Sequence, residues 1–377
     1  MKVVQLTPYA MDRPGGVQSH VRDLSAWLRR QGHEVKIIAP PGAPTYAEDG
    51  LMPVGSARPI SVHGTQFEIS HANRSERRAA VSALRDWGAD VVHLHTPWTP
   101  LLPWQIWRAL KLPTIATFHA TLPDGDGFDP LAWALRRVGH HFNRHISHLI
   151  VPSQAPYDQW AAAAAAPLPT ILPPAIDLSQ WRTAKDAAIA ADTPDQFRVV
   201  YMGRLEARKG VAVLLKAWSQ LQAALPDAEL IIAGSGEEEA TLREYARAAA
   251  LTNVTFQPPP SNAQARNLMA SADVFAAPAL HGESFGLVLI EAMAAQAVPV
   301  AANNAGFATV MTGKGAELLF PPGDTHALAD TIMKLAQNPA HLTACRSWAT
   351  QHAARFDVTS VGPAYEALLQ DACSGAS

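Results

Sequence analysis

Cysteine is scarce in this chain: Cys345 and Cys373 are the only two among 377 residues. They lie near the C-terminus at no metal-ligand spacing, which excludes a disulfide framework, offers no zinc motif and leads us to expect a reducing cytoplasm. Charge of one sign is also scarce. A formal net charge of −3 gives no reason to expect nucleic acid as a partner. No apolar run approaches the ~20 residues of a bilayer-spanning helix, and the apolar residues 3–6 are too few for a signal peptide, so any membrane contact is expected to be peripheral. The dinucleotide fingerprint G-x-G-x-x-G is missing, which argues against a nicotinamide-dependent dehydrogenase.

The chain has 48% hydrophobic and 17% charged residues, a globular composition at a length that suits two domains. Short apolar runs at residues 3–6, 35–38, 91–94, 114–117 and 149–151 alternate with amphipathic segments. Strands buried on both faces have this pattern. Between the first two runs Val17, Val21, Leu24 and Leu28 recur at helical spacing and Gly32 follows, so a βαβ unit and a parallel sheet are expected. Apolar periodicity pauses between about residues 173 and 196, where turn residues gather, and resumes with runs at 199–202, 230–233, 254–256, 274–276, 298–301 and 318–320. The expected fold class is α/β, with two doubly wound domains and ligands at the carboxyl ends of the strands.

Glu283 and Glu291 bracket a turn through Ser284, Phe285 and Gly286 that runs into a helix. Unpaired amides and the helix dipole favour a phosphate there, and the carboxylates can address hydroxyls; helix capping is the other reading of Glu283. The segment Gly203 to Gly210 follows a buried strand and carries Arg204 and Lys209, two cations suited to a diphosphate, or else a solvated basic loop. Gly15 and Gly16 form a turn before the first helix, and Gly234 with Gly236 leaves room for a ligand against the backbone. His119 ends the strand at residues 114–118, where a neutral ring can bond a sugar hydroxyl or serve structurally. His93 and His95 alternate on the preceding strand without a third ligand at useful spacing, so no metal site is expected.

Two segments carry basic faces beside apolar stripes. Residues 71–87 hold Arg74, Arg77, Arg78 and Arg85 against Val81, Leu84 and Trp87; residues 131–148 hold Arg136, Arg137, His140, His141 and Arg144 against Leu131, Leu135, Val138 and Phe142. Either is an ordinary solvated helix or lies on anionic lipid, and Trp98, Trp104 and Trp107 nearby favour the lipid. The loops at residues 41–66 and 122–130 carry no interpretable motif.

Taken together, residues 9–21, 116–121, 203–210 and 282–295, including the E-x7-E spacing, resemble retaining glycosyltransferases of family 4, most like bacterial phosphatidylinositol α-mannosyltransferases. The resemblance spans nearly the whole chain. It implies the GT-B fold, two facing Rossmann-like domains with an interdomain cleft: residues 1–180 for the acceptor, joined by a final helix in 356–377 with Tyr365, Leu368 and Leu369 as its packing face, and residues 190–355 for the nucleotide sugar. It implies that His119, Arg204, Lys209 and Glu283 are catalytic. Gly15, Gly16, Gly203, Gly234, Ser284, Phe285, Gly286 and Glu291 are then the donor-binding set, with Glu291 on the ribose, and His20, Arg74, Arg77 and Arg78 the acceptor and membrane residues. No D-x-D pair is read as a metal site, and no permanent cofactor or catalytic metal is implied. The expected donor is a nucleotide sugar, GDP-mannose before a UDP-sugar. The expected partners are that donor, a lipid or glycan acceptor and an anionic membrane at its cytoplasmic face. The alternatives are a UDP-sugar transferase making polysaccharide or oligosaccharide, and a non-catalytic sugar-nucleotide-binding module.

Overall fold

A computed structural model describes residues 1–13, 15–62, 65–97, 101–119, 144–163, 168–190 and 196–375. The chain divides into two compact units, Met1–Ile176 with Val358–Ser377, and Asp177–Asp357.

The first unit runs β1 (Lys2–Leu6), α1 (Gly16–Arg30), β2 (Glu34–Ala39), β3 (Leu51–Pro53), β4 (Ser56–Val62), β5 (Thr65–His71), α2 (Arg74–Trp87), β6 (Val91–His95), α3 (Leu102–Leu110), β7 (Thr114–Thr117), β8 (His148–Val151), α4 (Gln154–Ala163) and β9 (Thr170–Ile171). Seven parallel strands form one sheet in the order β3-β2-β1-β6-β7-β8-β9. Successive strand residues point to opposite faces. Val4, Val92, Ala116 and Val151 therefore pack under α2, α3 and α4. Val3, Val91, Ile115 and Ile150 pack on the other face against Leu24, Trp27 and Leu28 of α1. Along that second face the strands turn polar toward their carboxyl ends, where Gln5, His93, His95 and Thr117 are all fully buried. Burial of four polar side chains in one layer demands hydrogen-bond partners.

Two expectations are corrected here. Residues 41–66 hold β3 and most of an antiparallel hairpin, β4 against β5; its Ser-Ala-Arg-Pro-Ile-Ser-Val sequence has a proline and too few apolar residues to stand out. The helix expected from residue 71 begins at Arg74 because Asn73 caps it: Asn73 Oδ1 accepts from the Ser75 and Glu76 amides at 2.9 and 3.0 Å, and Glu76 Oε2 accepts from the Asn73 amide at 2.8 Å. Such a capping box contributes ~1 kcal/mol.

The second unit runs α5 (Ser179–Ala190), β10 (Arg198–Met202), α6 (Val211–Leu221), β11 (Glu229–Ala233), α7 (Glu239–Ala248), β12 (Val254–Gln257), α8 (Asn262–Ser271), β13 (Val274–Ala277), α9 (Leu287–Ala294), β14 (Val298–Ala302), α10 (Ala305–Val310), β15 (Leu319–Phe320), α11 (Thr325–Gln337) and α12 (Pro339–Ala353). Its six parallel strands are ordered β12-β11-β10-β13-β14-β15. The strand order reverses between β10 and β13, and a doubly wound sheet binds ligands at the carboxyl ends beside that switch point. In the first sheet the reversal falls between β1 and β6. The pause at residues 173–196 is not wholly a linker, since α5 lies in it and belongs to the second unit.

The last helix, α13 (Val358–Ser374), returns to the first unit. Val358, Val361, Tyr365, Leu369 and Ala372 are buried against the α1 face, with Leu368 partly buried. His33 to Glu366 at 2.8 Å and His148 to Asp371 at 2.7 Å tie its outer side to α1's end and β8. Among the described residues no helix is long and apolar enough to cross a membrane.

Candidate functional site

The loops that leave β10 and β13 carry an alternating chain of charges. Glu206, 7% exposed, accepts from Arg204 and, at 3.0 Å, from Arg208 Nε. Glu283 Oε1 accepts from Lys209 Nζ at 2.6 Å and lies 3.5 Å from Arg208 Nη1. Three cations face two carboxylates, so the group sums to one positive charge and suits a polyanion, which would compete with Glu283 for Lys209. The loop backbone is held from below: Tyr201, its hydroxyl pKa raised chiefly by burial, donates to the Arg204 carbonyl at 2.7 Å.

Glycine makes this close packing possible at two positions. Gly234 has φ 153°, and a Cβ there would stand 1.8 Å from the Gly203 carbonyl oxygen, so the loops after β10 and β11 touch backbone to backbone. Gly286 caps α9 with φ 114°, and its Cβ would meet the Phe307 ring at 2.8 Å. Both conformations disfavour any other residue. Ser284 is half-buried in the same turn, and Phe285 is buried with its ring edge-on to Phe356 at 5.7 Å, so only its backbone is available to a ligand. Glu291 lies half-buried inside α9, whereas Glu283 precedes the helix and makes no cap; its ion pairs replace the capping interpretation. Sequence reasoning missed Glu206 and Arg208, although both lie in the segment already singled out. The signal was the acid set between arginines.

In the first unit Gly15 is the N-cap of α1 and Gly16 its first residue. At the carboxyl ends of β6 and β7, four histidines come together. His20 of α1 lies 5.4 Å, ring to ring, from both His95 and His119, and His93 lies 4.0 Å from His95. This corrects two expectations. His20 is fully buried and its Nδ1 accepts from the Ala175 amide at 2.9 Å, so it is an interior ring and not a surface contact for a membrane. His93 and His95 also gain His20 as a third ring, whose nitrogens lie within metal-ligating reach of theirs. Cys345 likewise lies with His341 and Glu317 despite its uninformative spacing.

Burial lowers the His20 pKa to about 4. It also holds His93, His95 and His119 well below the ordinary imidazole range, reinforced by repulsion between neighbouring rings. The unfolded chain protonates these rings near pH 6.5 and the folded chain does not, so unfolding takes up protons below that pH. Native stability from this layer is full above about pH 6.5 and declines toward pH 4, by about 3 kcal/mol from His20 alone. Urea unfolding of the first unit is expected to show midpoints that fall steadily between about pH 7 and 5; midpoints that stay level would contradict a neutral cluster.

On the opposite face of the first sheet, α2 and α3 border a groove of ≈ 730 Å³ lined by Arg77, Arg78, Arg85, Arg108, Leu101 and Trp104, among others. Arg74 and Arg78 are exposed and Arg77 half-buried, while Ala80, Val81 and Leu84 face the core. Trp107 does not reach the surface as expected: it is buried and donates to Thr114 Oγ1 at 3.0 Å. Trp104 is half-buried and donates to the Pro97 carbonyl at 2.7 Å. Trp98, the loop at 122–130 and the basic helix expected over 131–148 lie outside the described residues up to 143, and residues 144–148 are turn and strand, not helix.

Residues 14–180 match the family described as Glycosyltransferase Family 4, and residues 184–352 match Glycosyl transferases group 1. The phosphatidyl-myo-inositol mannosyltransferase of Mycolicibacterium smegmatis is 32% identical over 363 residues, covering 95% of this chain and 90% of that protein. The chain belongs to glycosyltransferase family 4. This family 4 glycosyltransferase is also 30% identical to the phosphatidyl-myo-inositol mannosyltransferase of Propionibacterium freudenreichii, over 98% of its own length and 94% of the relative's. Its fold is GT-B, with two Rossmann-like units. Anabaena HepE in complex with UDP and glucose superposes with a TM-score of 0.76 at 20% identity, over 98% of this glycosyltransferase and 100% of that chain.

Proposed function

We propose that this glycosyltransferase moves mannose from GDP-mannose to a phosphoinositide-like lipid at the cytoplasmic face of a membrane, with retention at the anomeric carbon. The observation that carries the reaction is the charge chain Arg204–Glu206–Arg208–Glu283–Lys209 at the carboxyl ends of β10 and β13. Arg204 and Lys209 bind the diphosphate, and their contacts strengthen as the C1–O bond breaks and charge gathers on the leaving phosphate. Gly15, Gly16, Gly203 and Gly234 allow the backbone to approach the donor. His119 and Glu283 hold the sugar, the turn at Ser284, Phe285 and Gly286 lends amides to sugar and phosphate, and Glu291 takes the ribose. The acceptor hydroxyl forms the new bond to C1, and its proton passes to the departing phosphate oxygen.

The mannosyl and lipid parts of the reading rest on the two mannosyltransferase relatives and on the arginine-lined groove between α2 and α3, where Arg77 and Arg78, with exposed Arg74 at the start of α2, meet anionic headgroups. The test offers purified protein GDP-mannose, UDP-glucose and UDP-N-acetylglucosamine, with phosphatidylinositol vesicles or neutral phosphatidylcholine vesicles. Mannosylated lipid formed from GDP-mannose on the anionic vesicles, with co-sedimentation on those vesicles alone, is the expected result. Turnover confined to UDP-sugars would overturn the donor, and equal absence of binding to both vesicles would overturn the membrane face.

A further inference from the structure

A group of side chains in the second unit combines a thiol, an imidazole and a carboxylate. His341 and Cys345 sit four residues apart on α12, so one turn of helix places both side chains on the same face. The helix start that carries His341 is fixed, because Asn338 Oδ1 accepts from the His341 amide at 3.0 Å. Glu317 comes from the short 3₁₀ turn Gly313–Leu318, which leads into the edge strand β15. That turn lies directly on α12: a Cβ at Gly315 would stand 2.3 Å from the Trp348 ring. The packing brings Glu317 Oε1 to 3.9 Å and His341 Nε2 to 3.8 Å from Cys345 Sγ. A donor atom from each of the three residues lies within 4.8 Å of the other two.

We propose that Cys345, His341 and Glu317 bind a zinc ion, in a site that shares no residue with the donor loops and does not depend on the proposed reaction. Tetrahedral zinc, with a Zn–S bond of about 2.3 Å and Zn–N and Zn–O bonds of about 2.0 Å, holds such donor atoms roughly 3.5 Å apart. The separations of 3.8 and 3.9 Å are close to that spacing, and turning of the exposed Glu317 and half-buried His341 side chains closes the rest. As the ion enters, the Cys345 thiol proton leaves to solvent and a Zn–S bond forms in its place. The thiolate and the carboxylate then carry two negative charges, which balance the dication beside a neutral imidazole. The three neutral rings of His20, His93 and His95 supply no such balance. A thiolate with an imidazole selects zinc over magnesium or calcium, which take oxygen ligands. Lys314 on the same turn opposes the ion with its charge, but weakly, since it is exposed and screened by solvent. Glu317 opens the site to water, which takes the fourth position. Bound there, the ion clips the turn before β15 to α12 and stabilises the edge of the second sheet.

The test uses the intact protein without an affinity tag, reduced, stripped with a chelator and titrated with cobalt(II) or zinc chloride. Cobalt is expected to give a thiolate-to-metal charge-transfer band that saturates at one equivalent and is bleached by zinc. Cys345→Ser should lose the band, and Cys373→Ser should keep it. Cys345 is buried, so its replacement can disturb α12; His341→Gln and Glu317→Gln therefore carry equal weight. Each should weaken zinc binding by at least about tenfold with an unchanged circular dichroism spectrum. Amide exchange over residues 313–320 should slow when zinc is added to the wild type and stay as it was in His341→Gln. No charge-transfer band at saturating cobalt, or zinc affinity unaltered in both His341→Gln and Glu317→Gln, would overturn the site. Cobalt bound without the band, and equally well by Cys345→Ser, would place the ion elsewhere and overturn it too. None of these measurements reads sugar transfer, so failure of the functional reading leaves their outcome untouched.

Discussion

Lys209→Ala is expected to lower kcat by about 10²- to 10³-fold while the protein stays folded. Lys209 is held at 2.6 Å from Glu283, beside Arg204 and Arg208, on a loop whose backbone is pinned by Tyr201 and by the close approach of Gly234. On the proposed mechanism its ammonium is already held at this loop before any donor arrives, and it exchanges Glu283 for the leaving diphosphate as charge grows there. The KM for the donor should change less, because a contact that strengthens in the transition state is felt in turnover. Glu283 keeps Arg208 as a partner in this variant, so no carboxylate is stranded. Lys216→Ala removes the same charge from an exposed position on α6 and should leave the rate unchanged. Steady-state kinetics of both variants, with circular dichroism for folding, makes the test. A loss below about tenfold at Lys209 would remove it from the transition state.

Tyr365→Ala is expected to destabilise the first unit by about 3–5 kcal/mol. The Tyr365 ring is fully buried on α13, packs 5.0 Å from the His20 ring and 5.7 Å from His93, and its hydroxyl donates to the Pro173 carbonyl at 3.2 Å. Truncation leaves a cavity beneath the histidine layer, in a sheet too tightly packed to close over it. Tyr365→Phe keeps the ring and loses the hydroxyl contact, at about 1 kcal/mol. Amide hydrogen exchange separates the units: protection in β1 and β6 should fall by at least about a hundredfold in Tyr365→Ala, while β10 and β13 keep theirs. Unchanged exchange in β1 would mean that α13 contributes little to the first unit.

The central strands of both sheets were legible because a parallel strand covered on both faces must be apolar along its whole length, as in residues 3–6, 91–94, 199–202 and 230–233. The hairpin β4–β5 was illegible for the converse reason, since a two-stranded ribbon outside the main sheets needs no continuous apolar run. The helix α5 does not stand out in the sequence because its alanines and scattered charges lack a strong apolar stripe. The segments carrying Arg204, Lys209 and Glu283 announced themselves through glycine turns directly after buried strands. Glu206 and Arg208 lie in the same segment, but their role follows from their partners rather than from residue type.

By itself the sequence determined that this is an α/β chain of two parallel-sheet units and a family 4 glycosyltransferase, since strand burial and short glycine-bounded motifs are local properties written in consecutive residues. Only the tertiary structure decided that Glu283 pairs with Lys209 and Arg208, and that His20 is an interior ring instead of a surface contact. It alone brought Gln5, His95 and His119 within hydrogen-bond distance of one another in series. Those outcomes depend on which strands neighbour one another and which face each residue takes, and side chains far apart in sequence meet there because a buried polar group must find its partner wherever the fold supplies one.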